Sequence, residues 1–347
     1  MNELKLNETP LRTSRNFLVN NIKLNNVELP EKTDKFENIY IQSNSVIDGK
    51  VDELPLTYGN GKIVEENIKS ACNSSIRVCV NEKDDIRIKY VFDDNNLNLV
   101  NNIEIDSNAD CNVIIEYKSK TSKECFHNGI LRVNANPNIN VNIVIINLLN
   151  EKSLNLESIQ NNMDDSSDVN YTIIDIGAKT SVSNYYSNMF GNGCKNDLQT
   201  IYLGTEQQIK DINYIAELRG EKTDINIDVQ GALKNKSKKN FKGTIDFKKG
   251  CKKAVGNENE YCMLLTDDSH SIALPMLLCT EDDVEGNHST ASGKVDGEQL
   301  FYIMSRGIDY TDAVKLIVKA RFNEIIERIK DEDLKSEILQ EIDRRLD

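Results

Sequence analysis

From about residue 75 to residue 265 the chain is one strand-like segment after another, with no helical periodicity between them. Segments 76–80, 86–92, 112–117, 130–134 and 139–148 alternate or run apolar, are rich in Val, Ile and Tyr, and are punctuated by Asn, Asp and Gly. The series continues at 170–176, 181–189, 198–203, 212–218, 224–229 and 240–247, and several of these end near Gly191, Gly193, Gly204, Gly220, Gly231 or Gly250. Even spacing without intervening helices leaves three architectures: a sandwich, a barrel, or a β-solenoid with one coil per repeat. In a solenoid, Ile173, Tyr185, Ile201 and Ile212 are expected to stack inward.

The remainder of the 347 residues has a different texture. Residues 1–70 show no long periodic segment and read as an N-terminal cap, with one short helix expected around residues 11–22. After Asp296 the period becomes helical. Asp296 and Gln299 form a capping box that opens a helix through Ser305, stopped at Gly307. Asp309 caps a second helix with Val314, Val318, Phe322, Ile325 and Ile329 on one stripe, and Asp331 a third with Leu334, Ile338 and Ile342. The expected domains are therefore 1–70, a β core at 71–295 and a helical unit at 296–347. Amphipathic stripes require a cover, from one another, from the β core or from a partner.

Charge and apolar content bound the function. With 42 Lys plus Arg against 56 Asp plus Glu, the net charge of −14 argues against holding nucleic acid or an anionic membrane. The most apolar run, VNIVIINLL at 141–149, is too short to span a bilayer, and the N-terminus lacks a signal-peptide pattern. The expectation is a soluble cytoplasmic protein. Within 234–253 nine Lys face one acid, Asp246. On the strand at 240–247, Phe241, Ile245 and Phe247 take one face and Lys242 and Asp246 the other, which reads as a solvated outer face, or alternatively as a docking patch for an acidic partner.

Chemistry-bearing residues are sparse. Of the eight Cys, none lies in a C-x-x-C pair, so they read as buried hydrophobes. There is no phosphate-binding loop, no G-x-S-x-G and no H-E-x-x-H, so no bound nucleotide is expected. His127, His270 and His288 stand alone and read as structural. The densest set of candidate ligands is 261–292, holding Cys262, His270, Cys279, Glu281, Asp282, Asp283, Glu285 and His288. Thiolate, imidazole and carboxylate together suit iron or zinc, although their spacing matches no standard metal motif. Asp282, Asp283 and Glu285 also read as a plain solvated turn.

The stretch EDDVEGNHSTASGKVDGEQLFYIMSRGI (281–308) resembles the C-terminal signature of the SufB/SufD family of iron–sulfur cluster assembly proteins. Asp282-Asp283-Val284, His288, Gly293, Leu300-Phe301-Tyr302 and Ser305-Arg306-Gly307 fall in register with it. SNYYSNMFGNG (183–193), IYLGTEQQ (201–208) and NFKGTIDFKKG (240–250) resemble the family's coil segments. The resemblance implies a right-handed parallel β-helix core with C-terminal helices. It also implies docking of a SufC-type ABC ATPase on those helices and pairing with a second SufB/SufD-family β-helix. Sulfur would come from a cysteine desulfurase system, and a transient cluster would form at the interface of the two β-helices.

Carried onto this sequence, His288 is the family position expected to touch the cluster, and Leu300, Phe301, Tyr302, Arg306 and Gly307 the expected ATPase interface. The cluster-building Cys of SufB-type subunits falls on Glu260, and their sulfur-accepting Cys on Lys118. Cys262 and Cys279 are the fallback thiolates. The resemblance thus implies a SufD-like, non-catalytic scaffold. The alternatives are a SufB-like scaffold that ligates the cluster itself, or a β-solenoid enzyme acting on polysaccharide.

Overall fold

The computed structural model describes residues 3–13, 19–49, 51 and 55–347. Strands β1 (Glu3–Leu6) and β2 (Ile22–Asn25) form an antiparallel pair, followed by β3 (Ile39–Gln42), β4 (Val46–Asp48) and helix α1 (Lys62–Ala71). Then come β5 (Ser74–Val80), β6 (Asp84–Phe92), β7 (Asn98–Ser107), β8 (Cys111–Ser119), β9 (Phe126–Ala135), β10 (Asn140–Leu148), β11 (Leu154–Met163) and β12 (Asp168–Asp175). The series ends with β13 (Thr180–Met189), β14 (Lys195–Gly204), β15 (Ile209–Leu218), β16 (Asp224–Leu233), β17 (Lys238–Phe247), β18 (Ala254–Leu264), β19 (His270–Cys279) and β20 (Val284–Lys294). Helices α2 (Gly297–Ser305), α3 (Tyr310–Ile326) and α4 (Glu332–Leu346) close the chain. Of the short helix expected around 11–22, residues 14–18 lie outside the described residues; the described residues 11–13 and 19–21 are not helical, and Ile22 opens a strand.

From β5 onward the chain switches sheet at every strand. Even-numbered strands β6 to β20 form one parallel sheet and odd-numbered β5 to β19 the other, with β3 and β4 paired antiparallel at the far edges. Two strands make a coil, and about eight coils stack into a parallel β-solenoid. In-register stacking puts like on like. The column Ile86, Val113, Ile143, Tyr171, Leu198, Ile227 runs through six coils of the lumen. Polar ladders tie the outside in the same way. Asn112 donates to Asp85 at 2.6 Å, Asn142 to Asn112 at 3.0 Å and Asn170 to Asn142 at 3.2 Å. The corners also repeat: Asn138, Ser166, Gly193, Lys222 and Lys253 all take positive φ at equivalent turns, and the N–H of each bonds a carbonyl of the next coil. Only one of the five is glycine, because the recurrent hydrogen bond holds the others in a left-handed conformation they would otherwise avoid.

Ile173, Tyr185 and Ile212 line the lumen as expected, but Ile201 does not. It stands on the outer face beside Ile174, under the C-terminal helices. A parallel sheet covered on both faces is apolar on both, so alternation does not say which residue points in.

The outer faces are covered by the ends of the chain. Leu4, Leu6, Leu24, Leu56, Val64 and Ile68 pack on Val100, Ile130, Leu156 and Val182 of the odd-numbered sheet. Asn7 pins this cap: its amide donates to Asp211 Oδ1 at 2.7 Å, and Lys242 donates to its carbonyl at 3.0 Å. On the even-numbered sheet, Val318, Phe322, Ile325 and Ile326 of α3 and Leu334, Ile338 and Ile342 of α4 bury against Ile146, Ile174, Ile201 and Leu203. Asp309 and Asp331 cap these helices through the N–H groups of Asp312 and Leu334, and Arg328 and Arg87 tie the connection to Asp197 and Asp331 at 2.5 and 2.8 Å.

The lysine-rich stretch is not a solvated face throughout. Lys242 lies fully buried beneath the N-terminal cap, 2.5 Å from Asp211, and Lys239 points into the lumen. The charge run hides two internal ion pairs because its strand is covered on one face by the cap and on the other by the lumen.

Candidate functional site

The far end of the solenoid is open. β20 is the last strand of one sheet and β19 of the other, and almost every residue of β20 is exposed. Such edges carry unpaired N–H and C=O groups and are templates for another strand. His288 lies in the middle of β20, one coil above Glu258 in register. An added Cβ at Gly256 would touch Ile245 and Phe247, and one at Gly286 would touch Phe247 and Leu277. Both glycines therefore face the lumen, and so do Glu258 and His288 two residues further along their strands.

Inside, the end of the lumen is polar. Lys239 pairs with Glu260 at 2.8 Å, both fully buried, and Tyr202 donates to the same carboxylate at 2.9 Å. Glu258 is fully buried, neither of its oxygens has a hydrogen-bond partner, and burial pushes its pKa up to about 8. Deeper along the axis a polar column runs through His127, Asn155, Ser181, Lys210, Lys239 and Ser271. Lys210 pairs with Asp175 at 2.8 Å; burial lowers its pKa against the pull of that carboxylate. Such buried pairs add little net stability yet are costly to break, so they fix geometry. The sequence reading missed this column because its members stand among other polar residues, as in β11 and β17, and nothing local marks which of them face the lumen. Their shared register, about 28 residues per coil, was the signal available.

Cys262 is buried on the same lumen face of β18 as Glu260 and stacks beneath Ser292. Burial raises its thiol pKa, with Lys239 opposing, so it is not a ready thiolate. Cys279 ends β19 at the opposite corner of the coil, exposed, its thiol donating to the Glu281 carbonyl at 2.9 Å. Among the described residues no three His, Cys, Asp or Glu side chains converge as a metal site. Glu260 is engaged by Lys239 and Tyr202 through Oε1, while its Oε2 is buried without a hydrogen-bond partner, and His288 is exposed on the edge strand. Asp282 and Asp283 are exposed in the turn before β20, and Glu285 on the strand itself.

The second feature is α2. Its buried side is slight: Leu300 and Ile303 rest partly against the helical cluster, while Phe301 is 75% and Tyr302 58% exposed. Phe301 does not pack onto the β core. The Arg306 side chain folds back over the Tyr302 ring at 4.9 Å and donates to its hydroxyl at 2.7 Å, and Gly307 takes positive φ to end the helix. Met304, Ile308, Tyr310 and Leu316 extend this exposed apolar surface, which the sequence reading had confined to five residues. The patch exists because α3 and α4 spend their own stripes on the sheet.

The family model described as "SUF system FeS cluster assembly, SufBD core domain" matches residues 93–321, well over half of the chain. Among curated relatives, the iron–sulfur cluster assembly protein SufD of Bacillus subtilis (strain 168) is 26% identical over 166 residues, 48% of this chain and 38% of that protein. SufD of Escherichia coli (strain K12) is 32% identical over 114 residues, covering 33% of this chain and 27% of that one. A SufBD family protein of Staphylococcus epidermidis (strain ATCC 12228) is 27% identical over 143 residues, 41% of this chain and 31% of its own. The chain thus spans less than half the length of each relative. No helix among the described residues is long and apolar enough to cross a membrane.

Proposed function

Because the chain belongs to the SufB/SufD family of the SUF iron–sulfur cluster assembly system, we propose that it is a non-catalytic scaffold subunit that docks an ABC ATPase through α2 and a second β-helix through its open end. The observation that carries this reading is the distribution of cover. One outer face is sealed by the chain's own N-terminal cap and the other by α3 and α4. Among the described residues, the surfaces left bare include the β19–β20 edge, with Ile272 exposed, and the Phe301–Tyr302 patch, besides the β3–β4 edge at the other end with Tyr40 and Val46. Exposed aromatics beside an arginine are the residue types that carry binding energy at interfaces. A strand edge is completed by another strand.

A SufD-like role fits better than a SufB-like one. The SufB cluster-building position is Glu260, whose carboxylate is held by Lys239 and Tyr202. A cluster built at the joined ends would therefore take its thiolates from the partner subunit, with His288 facing the junction.

Co-expression with a SufC-type ATPase and a second family member tests both surfaces. The unaltered chain is expected to copurify with both. Phe301→Ala with Tyr302→Ala is expected to lose only the ATPase, and Ile272→Lys only the second β-helix. ATP hydrolysis by the chain alone, or copurification with neither protein, would overturn the reading.

A further inference from the structure

The C-terminal helices cover only part of the even-numbered sheet. α3 and α4 seal Ile146, Ile174 and Ile201. The connection between them crosses the strands, from Arg328 held by Asp197 on β14 to Asp331 held by Arg87 on β6. Beside that connection lies a cleft of about 670 Å³, a size that suits a small ligand. Its floor is the Asn112, Asn142, Asn170 ladder with Ile114 and Val144. Its walls carry four cations, Lys83, Arg87, Arg328 and Lys330, against two carboxylates, Asp85 and Asp331.

The groups left open in the cleft are chiefly donors. Asp331 is taken up by Arg87 and the Leu334 N–H, and Asp85 accepts from Asn112. Arg87 is held by Glu116 at 2.6 Å and Asp331 at 2.8 Å. Arg328 spends one nitrogen on Asp197 and keeps its other N–H groups. Lys83 and Lys330 are exposed and have no ion pair among the described residues. In the ladder Asn112 and Asn142 each donate one amide hydrogen to the preceding coil and retain a second. A chain of net charge −14 thus holds a concave site that asks for an acceptor-rich anion.

We propose that this cleft binds a small organic polyanion, a carbon skeleton carrying two or more carboxylate or phosphate groups. One acid group meets Arg328 and Lys330. The guanidinium, held in place from behind by Asp197, matches either oxyanion in a bidentate geometry. The skeleton lies over the half-buried Ile114 and Val144, and Asn112 and Asn142 donate to its oxygens. Lys83 meets a second acid group at the β6 end. Among the described residues no aromatic side chain lines the cleft, so nothing is there to stack a nucleotide base. Neither α2 nor the β19–β20 edge contributes to the lining, so the site is separate from the two docking surfaces above.

The test is titration calorimetry on the full purified chain with citrate and with fructose 1,6-bisphosphate, and with inorganic phosphate as an acid group that lacks a skeleton. At least one of the two organic anions is expected to bind saturably with a Kd below about 1 mM and to raise Tm. Inorganic phosphate is expected to bind at least about tenfold more weakly, because it cannot reach both ends of the cleft. Citrate binding without the bisphosphate assigns the site to carboxylates, and the reverse assigns it to phosphates. Lys83→Gln with Lys330→Gln alters exposed side chains only. That double variant is expected to keep its Tm and to lose at least about fivefold in affinity for the bound anion. No saturable binding of either organic anion up to about 10 mM, inorganic phosphate binding as tightly as both, or unchanged affinity in the double variant would overturn the proposal.

Discussion

Tyr202 reaches across a whole coil of the solenoid to donate its hydroxyl to Glu260 at 2.9 Å. The coil between them contributes Gly231, and an added Cβ there would fall 1.8 Å from the Tyr202 ring. Three strands are thus joined by one hydrogen bond that needs a glycine in the middle, and Lys239 from the facing sheet closes the group.

This group is expected to behave as a unit. Lys239→Met leaves Glu260 buried without its cation and is expected to cost about 3–5 kcal/mol in urea denaturation. Adding Glu260→Gln to that variant is expected to recover most of the loss. If the double variant is as unstable as the single one, the cost comes from packing and not from the stranded charge.

A second pair sets a pH dependence. Glu157 Oε2 lies 3.7 Å from His127 Nδ1, yet burial pushes the glutamate up to about 8 and the histidine down to about 4, so both are neutral at pH 7. The folded pKa of Glu157 exceeds its unfolded value of about 4.3. Its contribution to stability is therefore complete below that value and is lost as pH rises toward 8. His127 acts oppositely, costing stability as pH falls from about 6.5 toward 4. Glu157→Gln is expected to flatten the decline between pH 5 and 8 by up to about 1.4 kcal/mol per pH unit. Parallel stability curves for the variant and the unaltered chain would mean that Glu157 ionises in the fold.

The α2 patch is expected to separate binding from stability. Phe301→Ala and Tyr302→Ala each remove exposed groups, so unfolding free energy is expected to stay within about 0.5 kcal/mol. ATPase affinity, measured by calorimetry, is expected to fall at least about tenfold for each. A large drop in Tm would instead make the patch part of the fold.

The C-terminal helices are expected not to be removable. Phe322 is fully buried between α3 and the sheet, and Phe322→Ala is expected to cost about 3–5 kcal/mol. Removing residues 308–347 uncovers Ile146, Ile174 and Ile201 and is expected to give aggregated protein. A monomeric, cooperatively folding truncation would show that the sheet tolerates that face bare.

The spacing of most solenoid strands and the helix caps were legible along the chain because each depends on neighbours a few residues away, whereas spacing alone left sandwich, barrel and solenoid open. Asp296, Asp309 and Asp331 each cap the helix their positions implied. Of the solenoid strands β5–β20, five were not legible, among them β7 and β11, where Asn and Glu break the apolar run. Those polar residues are satisfied only by the coils above and below, as when His127 sits 2.8 Å from Asn101 and 2.6 Å from Asn155. At the site, the sequence pointed to His288 and the α2 residues and passed over Glu258, which looks like any other acid in a strand. Stacking made the difference. Residues about 28 positions apart become nearest neighbours, so the burial of Lys239 and Lys242, the outward turn of Ile201 and the isolation of Glu258 beside His288 are properties of the coil above and the coil below. A local pattern records the period of a strand. Only the closed, stacked chain decides which of its two faces meets the lumen, and what waits there.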